Sequence, residues 1–160
     1  MKKISILILF ILILLFSLSC TELEEPINKA RLSATMHLND VYIGTSKSLI
    51  GYASIENLGT EEIKYFEFNF EIIFSNGSTH TGLRQPSEYT NEIPIKPGMQ
   101  MPIKFSYSWS SEATVTEVRI TRLYVYTIYS YYDYGDERYK TEKLERTYIF
   151  DPPLSKKISE

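Results

Sequence analysis

The chain predicts an all-β domain, an antiparallel sandwich of about seven or eight strands, with a partly closed β-barrel as the alternative. Three features carry that expectation. Apolar and polar residues alternate at period two over long stretches. Turn-forming residues separate those stretches at short intervals. No segment after residue 26 sustains the periodicity of an amphipathic helix.

The clearest strand is Glu61 to Phe74, where Lys64, Phe66, Phe68, Phe70, Ile72 and Phe74 alternate with Ile63, Tyr65, Glu67, Asn69, Glu71 and Ile73. One face is therefore buried. The stretch ends at Ser75-Asn76-Gly77-Ser78, and Asn-Gly readily takes the positive φ angles of a tight hairpin. Thr79 to Leu83 is expected to return beside it. Upstream, Ser48 to Asn57 places Leu49, Ala53 and Ile55 on one side and Ile50 and Tyr52 on the other, and breaks at Leu58-Gly59-Thr60. Before it, Ala30 to Leu38 and Val41 to Ile43 read as one strand or a pair bent around Asn39-Asp40.

Downstream, Ile95-Lys96-Pro97-Gly98 is a turn, since proline presets φ at the first corner and glycine supplies the second. Met99 to Trp109 then puts Met101, Ile103, Phe105, Tyr107 and Trp109 on one face. The last third is a long hairpin. In Thr114 to Tyr132, Val118 and Ile120 are out of phase with Leu123 and Val125, which predicts a β-bulge near Thr121-Arg122. Asp133-Tyr134-Gly135-Asp136 turns the chain and Arg138 to Phe150 returns, with Asp151-Pro152-Pro153 as the expected stop.

The amino terminus carries a targeting pattern. Lys2 and Lys3 precede an unbroken apolar run from Ile6 to Phe16, a length that suits the apolar region of a cleaved signal peptide better than a membrane span. The run ends in Ser17-Leu18-Ser19-Cys20, and Cys20 is the only cysteine. This resembles the lipobox of bacterial lipoproteins. The resemblance implies cleavage before Cys20, a diacylglyceryl group on its thiol, and acyl chains such as palmitate holding the protein on a membrane without a spanning helix. The organisation that follows is a signal peptide at 1–19, the lipidated cysteine and an acidic tether at 20–29, a sandwich domain at 30–152 and a frayed tail at 153–160. The expected address is the bacterial cell envelope, with the outer membrane favoured because Thr21 rather than Asp follows the cysteine. Glu22, Glu24 and Glu25 resemble a surface-export signal only weakly, and a solvated linker is the favoured reading of them.

Within residues 48 to 108, Gly51 to Thr60, the Phe-rich strand, Ser75-Asn76-Gly77 and Ile95-Lys96-Pro97-Gly98 look like small immunoglobulin-like modules of bacterial secreted proteins. That resemblance implies an immunoglobulin-like sandwich and says little about activity.

Composition narrows function by exclusion. The chain has 160 residues, 43% hydrophobic and 23% charged, the profile of one globular domain. Its formal charge is −3 before a signal peptide containing two lysines is removed, so a basic nucleic-acid footprint is absent. His37 and His80 lie on different expected strands without a cysteine partner. No Gly-x-Ser-x-Gly, phosphate loop or catalytic carboxylate pair is present. Neither enzymatic activity nor a cofactor is expected. Asp133, Asp136 and Glu137 lack the spacing of a calcium loop, so no metal is expected either.

Seven of the 13 tyrosines fall between Tyr124 and Tyr139. Tyrosine offers a flat apolar face and a hydroxyl at low entropic cost, a combination suited to gripping a protein or glycan. Tyr129, Tyr131, Tyr132 and Tyr134 are the candidate binding residues, and Tyr131 and Tyr132 should point to opposite faces. The expected function is a non-catalytic, membrane-anchored interaction module. A structural subunit of an envelope or secretion assembly is the alternative. A small-molecule carrier is disfavoured because the large aromatic residues on the expected inner faces should fill the core.

Overall fold

The computed structural model describes residues 31–87 and 92–158. Cys20 and its acidic tether lie outside the described residues. Seven strands follow one another: β1 (Ala34–Gly44), β2 (Ser48–Asn57), β3 (Tyr65–Phe74), β4 (Thr79–Arg84), β5 (Gln100–Ser108), β6 (Val115–Asp133) and β7 (Arg138–Lys157). They form two antiparallel sheets, ordered β1-β2-β5 and β4-β3-β6-β7. Relative to the division of an immunoglobulin constant domain, the fourth strand lies in the opposite sheet.

That placement follows from the β3–β4 turn. The Gly77 amide bonds the Phe74 carbonyl at 2.9 Å and the Phe74 amide bonds the Ser78 carbonyl at 2.9 Å, closing a three-residue loop. Only Gly77 takes a positive φ, at 81°, while the Asn76 carboxamide accepts from the Ser78 amide at 3.0 Å. The turn is therefore a three-residue loop with glycine in the left-handed position rather than a two-residue Asn-Gly turn. It locks β4 against β3.

The sheets do not close into a barrel. Where the edges of β1 and β7 approach, side chains join them: the Ala34 amide donates to the Tyr148 hydroxyl at 2.8 Å, and Lys156 Nζ donates to the Asn39 carbonyl at 2.9 Å. Between the sheets, Phe66, Phe68, Phe70 and Ile72 of β3 meet Leu49, Ala53 and Ile55 of β2 and Ile103 and Phe105 of β5, all buried. The Phe105 ring lies 4.8 Å from Phe70 and 5.6 Å from Phe68, centroid to centroid. It also covers Gly51, its register partner, where any Cβ would strike the ring.

Bulges in β1 and β6 keep apolar residues inward. In β1, Asn39 is the extra residue between the pairs Leu38–Ala53 and Asp40–Tyr52, so the two apolar stretches form one bent strand. In β6, Ile120 pairs Phe70 and Arg122 pairs Asn69, leaving Thr121 over. Val118 and Ile120 before it and Leu123 and Val125 after it are consequently all fully buried.

The carboxyl-terminal segment departs from expectation. Strand β7 does not stop at Asp151-Pro152-Pro153, and Leu154 to Lys157 is a strand rather than a frayed tail. On β7 the residues Phe150 to Pro153 stand opposite the bulged Thr121, between the pairs Arg122–Ile149 and Ile120–Leu154. The prolines sit where the ladder is already interrupted, so their missing amide hydrogens cost no ladder bond. Pairing resumes through Glu117–Lys157.

Buried Asn57 orders the crossing from the first sheet to the second. Its Nδ2 donates to the Glu61 and Ile95 carbonyls at 2.8 Å each, and its Oδ1 accepts from the Gly59 amide at 2.9 Å. Ile63 and Ile95 form a bridge beside it, which is why β3 proper begins at Tyr65 rather than at Glu61. The Ile95–Gly98 segment makes the expected turn, with the Met99 amide bonded to the Lys96 carbonyl at 3.0 Å and Gly98 at φ 72°.

Candidate functional site: a tyrosine-rich ribbon

Strand β3 accompanies β6 only as far as the pair Tyr65–Tyr126. From Thr127–Leu144 to Asp133–Arg138, β6 and β7 continue as a two-stranded ribbon. At about 3.4 Å per residue, these seven pairs extend roughly 24 Å past the body of the sheet. Asp133 Oδ1 accepts from the Gly135 amide at 2.8 Å and the Asp136 amide at 3.3 Å, and Glu137 takes the left-handed conformation at φ 49°. The sequence places the turn correctly.

Alternation divides the tyrosines between two faces. Tyr129 and Tyr131 continue the face that buries Leu123, Val125 and Thr127, whereas Tyr132 lies on the opposite face, as their adjacency predicts. Glu142 pairs across from Tyr129 and accepts hydrogen bonds from the hydroxyls of both Tyr129 and Tyr131. These bonds hold the Glu142 carboxyl below its ordinary range, the Tyr129 bond contributing most. Reciprocally, they push the Tyr129 and Tyr131 phenols up. The Arg31 guanidinium stacks on the Tyr129 ring, 4.0 Å from its centroid, and pairs with Glu61 at 2.9 Å.

The outer face carries a second ladder. Tyr65 stacks on Tyr126 at 4.9 Å with an interplanar angle of 18°, and meets Tyr124 edge-on at 6.4 Å. Lys143 Nζ lies 4.5 Å from the Tyr126 ring centroid and bonds Glu145 at 2.6 Å and the Tyr124 hydroxyl at 2.8 Å. The Glu145 bond and then the Tyr124 bond raise the Lys143 ammonium above its ordinary value. At the tip, Tyr132 contacts Tyr134 at 5.0 Å and Tyr139 at 5.2 Å, both edge-on. Their exposures, 39%, 86% and 78% respectively, make this the most open aromatic cluster of the ribbon.

The four candidate residues are thus not one patch. Tyr129 and Tyr131 form an acid-braced pair on one face, and Tyr132 and Tyr134 join Tyr139 at the tip. Tyr65, Glu142, Lys143, Glu145 and Arg31 complete the surface without having been singled out in the sequence. Glu142, Lys143 and Glu145 are recoverable by counting rungs back from the turn. Arg31 carries no local signal, since its position depends on how the amino-terminal segment crosses the ribbon.

The two histidines are far from this surface. Exposed His37 lies on β1, and His80 stacks on Tyr107 at 4.1 Å. At the opposite end of the sandwich, Phe74, Tyr107, Trp109 and Ser108 to Ser111 line an open groove of about 520 Å³. Among the described residues no group of three or more His, Cys, Asp or Glu side chains is placed to hold a metal ion.

Fold and ribbon together define an antiparallel seven-stranded β-sandwich domain with a projecting aromatic hairpin. No protein-family model matches the chain, and no curated protein matches it. Among solved structures, β-glucosidase 3B from Thermotoga neapolitana, in complex with α-D-glucose, is similar at a TM-score of 0.36 and 13% identity. The similarity covers 72% of this chain but 17% of that enzyme.

Proposed function

We propose that this chain is a non-catalytic bacterial envelope lipoprotein, anchored through a lipid on Cys20, whose sandwich is a binding module for a protein or glycan partner. The observation that carries the binding role is the β6–β7 hairpin, whose Tyr129–Tyr131 pair lies beyond the body of the sheet and whose Tyr124–Tyr126 ladder lies on the outer face at its base, each braced by carboxylates and cations. Bracing matters because a rigid aromatic surface loses little entropy when it is covered. Aromatic faces beside carboxylates suit sugar rings or peptide side chains alike. The anchor rests on the Lys2-Lys3, apolar-run and Cys20 pattern, and the outer membrane is its proposed address.

A structural subunit of an envelope assembly is the second reading, favoured by the length of β7, a 20-residue strand at the edge of its sheet. An added strand there would extend the ladder. Lys140, Lys143, Arg146 and the Pro152-Pro153 interruption blunt that edge, which favours side-chain recognition instead.

Two experiments test the proposal. Acylation of Cys20 is compared with a Cys20→Ala control after cell fractionation, and protease shaving of intact cells then reports which side the domain faces. Partner capture is compared between the native chain and a Tyr129→Ser/Tyr131→Ser variant. Loss of capture with an unchanged unfolding midpoint supports the binding role. Undiminished capture, also after removal of Tyr131 to Tyr134, refutes it.

A further inference from the structure

The described chain begins at the ribbon. Arg31 stacks on Tyr129, the Leu32 carbonyl accepts from Arg146 at 3.4 Å, and the Ala34 amide bonds Tyr148. Whatever precedes Arg31 therefore joins the domain at the base of the ribbon, not at the Trp109 end. Ten residues lie between Cys20 and Arg31, eleven Cα–Cα steps in all. Fully extended they span at most about 40 Å. Tyr129 to Asp133 advances the ribbon about 14 Å beyond Arg31.

We infer that the ribbon tip, Tyr132, Tyr134 and Tyr139, rests in the interface of the bilayer that holds the lipid on Cys20. This rests on the lipid-anchor reading above and extends it, because it makes the partner-binding faces of the ribbon membrane-proximal. Three observations favour a bilayer as the occupant of the tip. The tether joins at the tip's own end of the sandwich, so anchoring raises the local concentration of lipid there. The cluster is aromatic and open, and tyrosine favours the headgroup region, where its ring and hydroxyl find apolar and polar surroundings together. Most of the tip's charges are internally paired, Lys140 with both Asp133 and Asp136 and Arg138 at 3.3 Å from Asp136, which leaves the tip one excess negative charge with Glu137 counted. A tip so nearly neutralised has little reason to avoid lipid and no basic cluster to demand anionic lipid.

The test uses the full chain, produced with its own signal, extracted in detergent and reconstituted into phosphatidylcholine vesicles with or without bromine-labelled acyl chains. Tyr134→Trp adds a fluorophore at an exposed turn position, while native Trp109 at the far end of the sandwich serves as the internal control. Mass spectrometry of the purified protein reports lipidation separately. The expected result is loss of most of the added emission in brominated vesicles with Trp109 emission unchanged, and persistence of that loss at high salt. A triple Tyr132→Ser/Tyr134→Trp/Tyr139→Ser variant should recover the emission. A lipidated protein whose added emission is not quenched overturns the tip contact and leaves the anchor standing. A protein of unmodified mass overturns the anchor, and this inference with it.

Discussion

The Arg31 guanidinium lies 4.0 Å from the centroid of the Tyr129 ring and joins the chain's amino-terminal approach to its longest hairpin. It fixes one end of the ribbon to the body of the domain, since the same guanidinium pairs with Glu61 at 2.9 Å. Both partners of that ion pair are about one-third exposed, so screening makes the stacking contact the larger contribution. Arg31→Ala should cost about 1 kcal/mol, expressed locally. Native-state hydrogen exchange is expected to show faster opening of amides 127 to 133 with core amides of β3 unchanged, and uniform acceleration throughout would contradict a local role.

Asn57 presents a different case, because the residue is fully buried and makes three hydrogen bonds, two of them wholly in the interior. At about 1 kcal/mol for each bond lost, Asn57→Ala should destabilise the domain by roughly 3 kcal/mol. Urea unfolding should show a lower midpoint with an unchanged slope. A shift no larger than that of a surface substitution would mean that the Ile63–Ile95 bridge holds the crossing by itself.

The Glu142 carboxylate and its two tyrosines give the ribbon a pH window. Glu142 is held below its ordinary value of 4.5 by the Tyr129 and Tyr131 hydroxyls. A depressed carboxyl contributes stability above its unfolded pKa and loses it as the pH falls through the folded value. Tyr129, raised above 10.0 chiefly by its bond to Glu142 and then by burial, contributes below its unfolded pKa and loses that contribution as the pH rises through the folded value. Ribbon amides should therefore be best protected between these limits. Glu142→Gln should bring the Tyr129 and Tyr131 phenolate absorbance on at lower pH, and an unchanged titration would show that the carboxylate does not govern these phenols.

Deleting Thr121 tests the bulge. Without it, Ile120–Phe70 and Arg122–Asn69 become consecutive pairs of a regular ladder, and Val118, Ile120, Leu123 and Val125 stay in phase on the buried face. The deletion variant is expected to keep a cooperative unfolding transition and near-ultraviolet circular dichroism, because the β3–β6 ladder then closes without a bulge. Thr121→Ala, which keeps the extra residue, should remain folded. A deletion variant without a cooperative transition would show that the extra residue is needed opposite Phe150 to Pro153 of β7 and not for the parity of β6.

Much of this architecture was legible in the chain. Alternation in β3 and β5, the Gly77 and Gly98 turns, the bulge at Thr121 and the tip at Asp133 to Asp136 all depend on neighbours within a few residues, where backbone preference and period two act directly. The continuation of β7 past Pro152-Pro153 was not legible. Whether a proline pair ends a strand depends on whether the opposing strand offers a ladder bond there, and Thr121 lies some thirty residues away. The same holds for the site. That Tyr131 and Tyr132 face apart follows from adjacency, whereas Arg31 over Tyr129 and Tyr65 against Tyr126 required the sheets to assemble.

The sequence by itself determined the all-β class, the turns and the parity of each strand, because these are properties of short stretches of chain. Only the tertiary structure decided that β1, β2 and β5 form one sheet and β4, β3, β6 and β7 the other, that the prolines fall opposite a bulge, and that the amino-terminal segment meets the base of the tyrosine ribbon. Those outcomes are contacts between residues distant in the chain, selected by burying the Phe-rich face of β3 against β2 and β5.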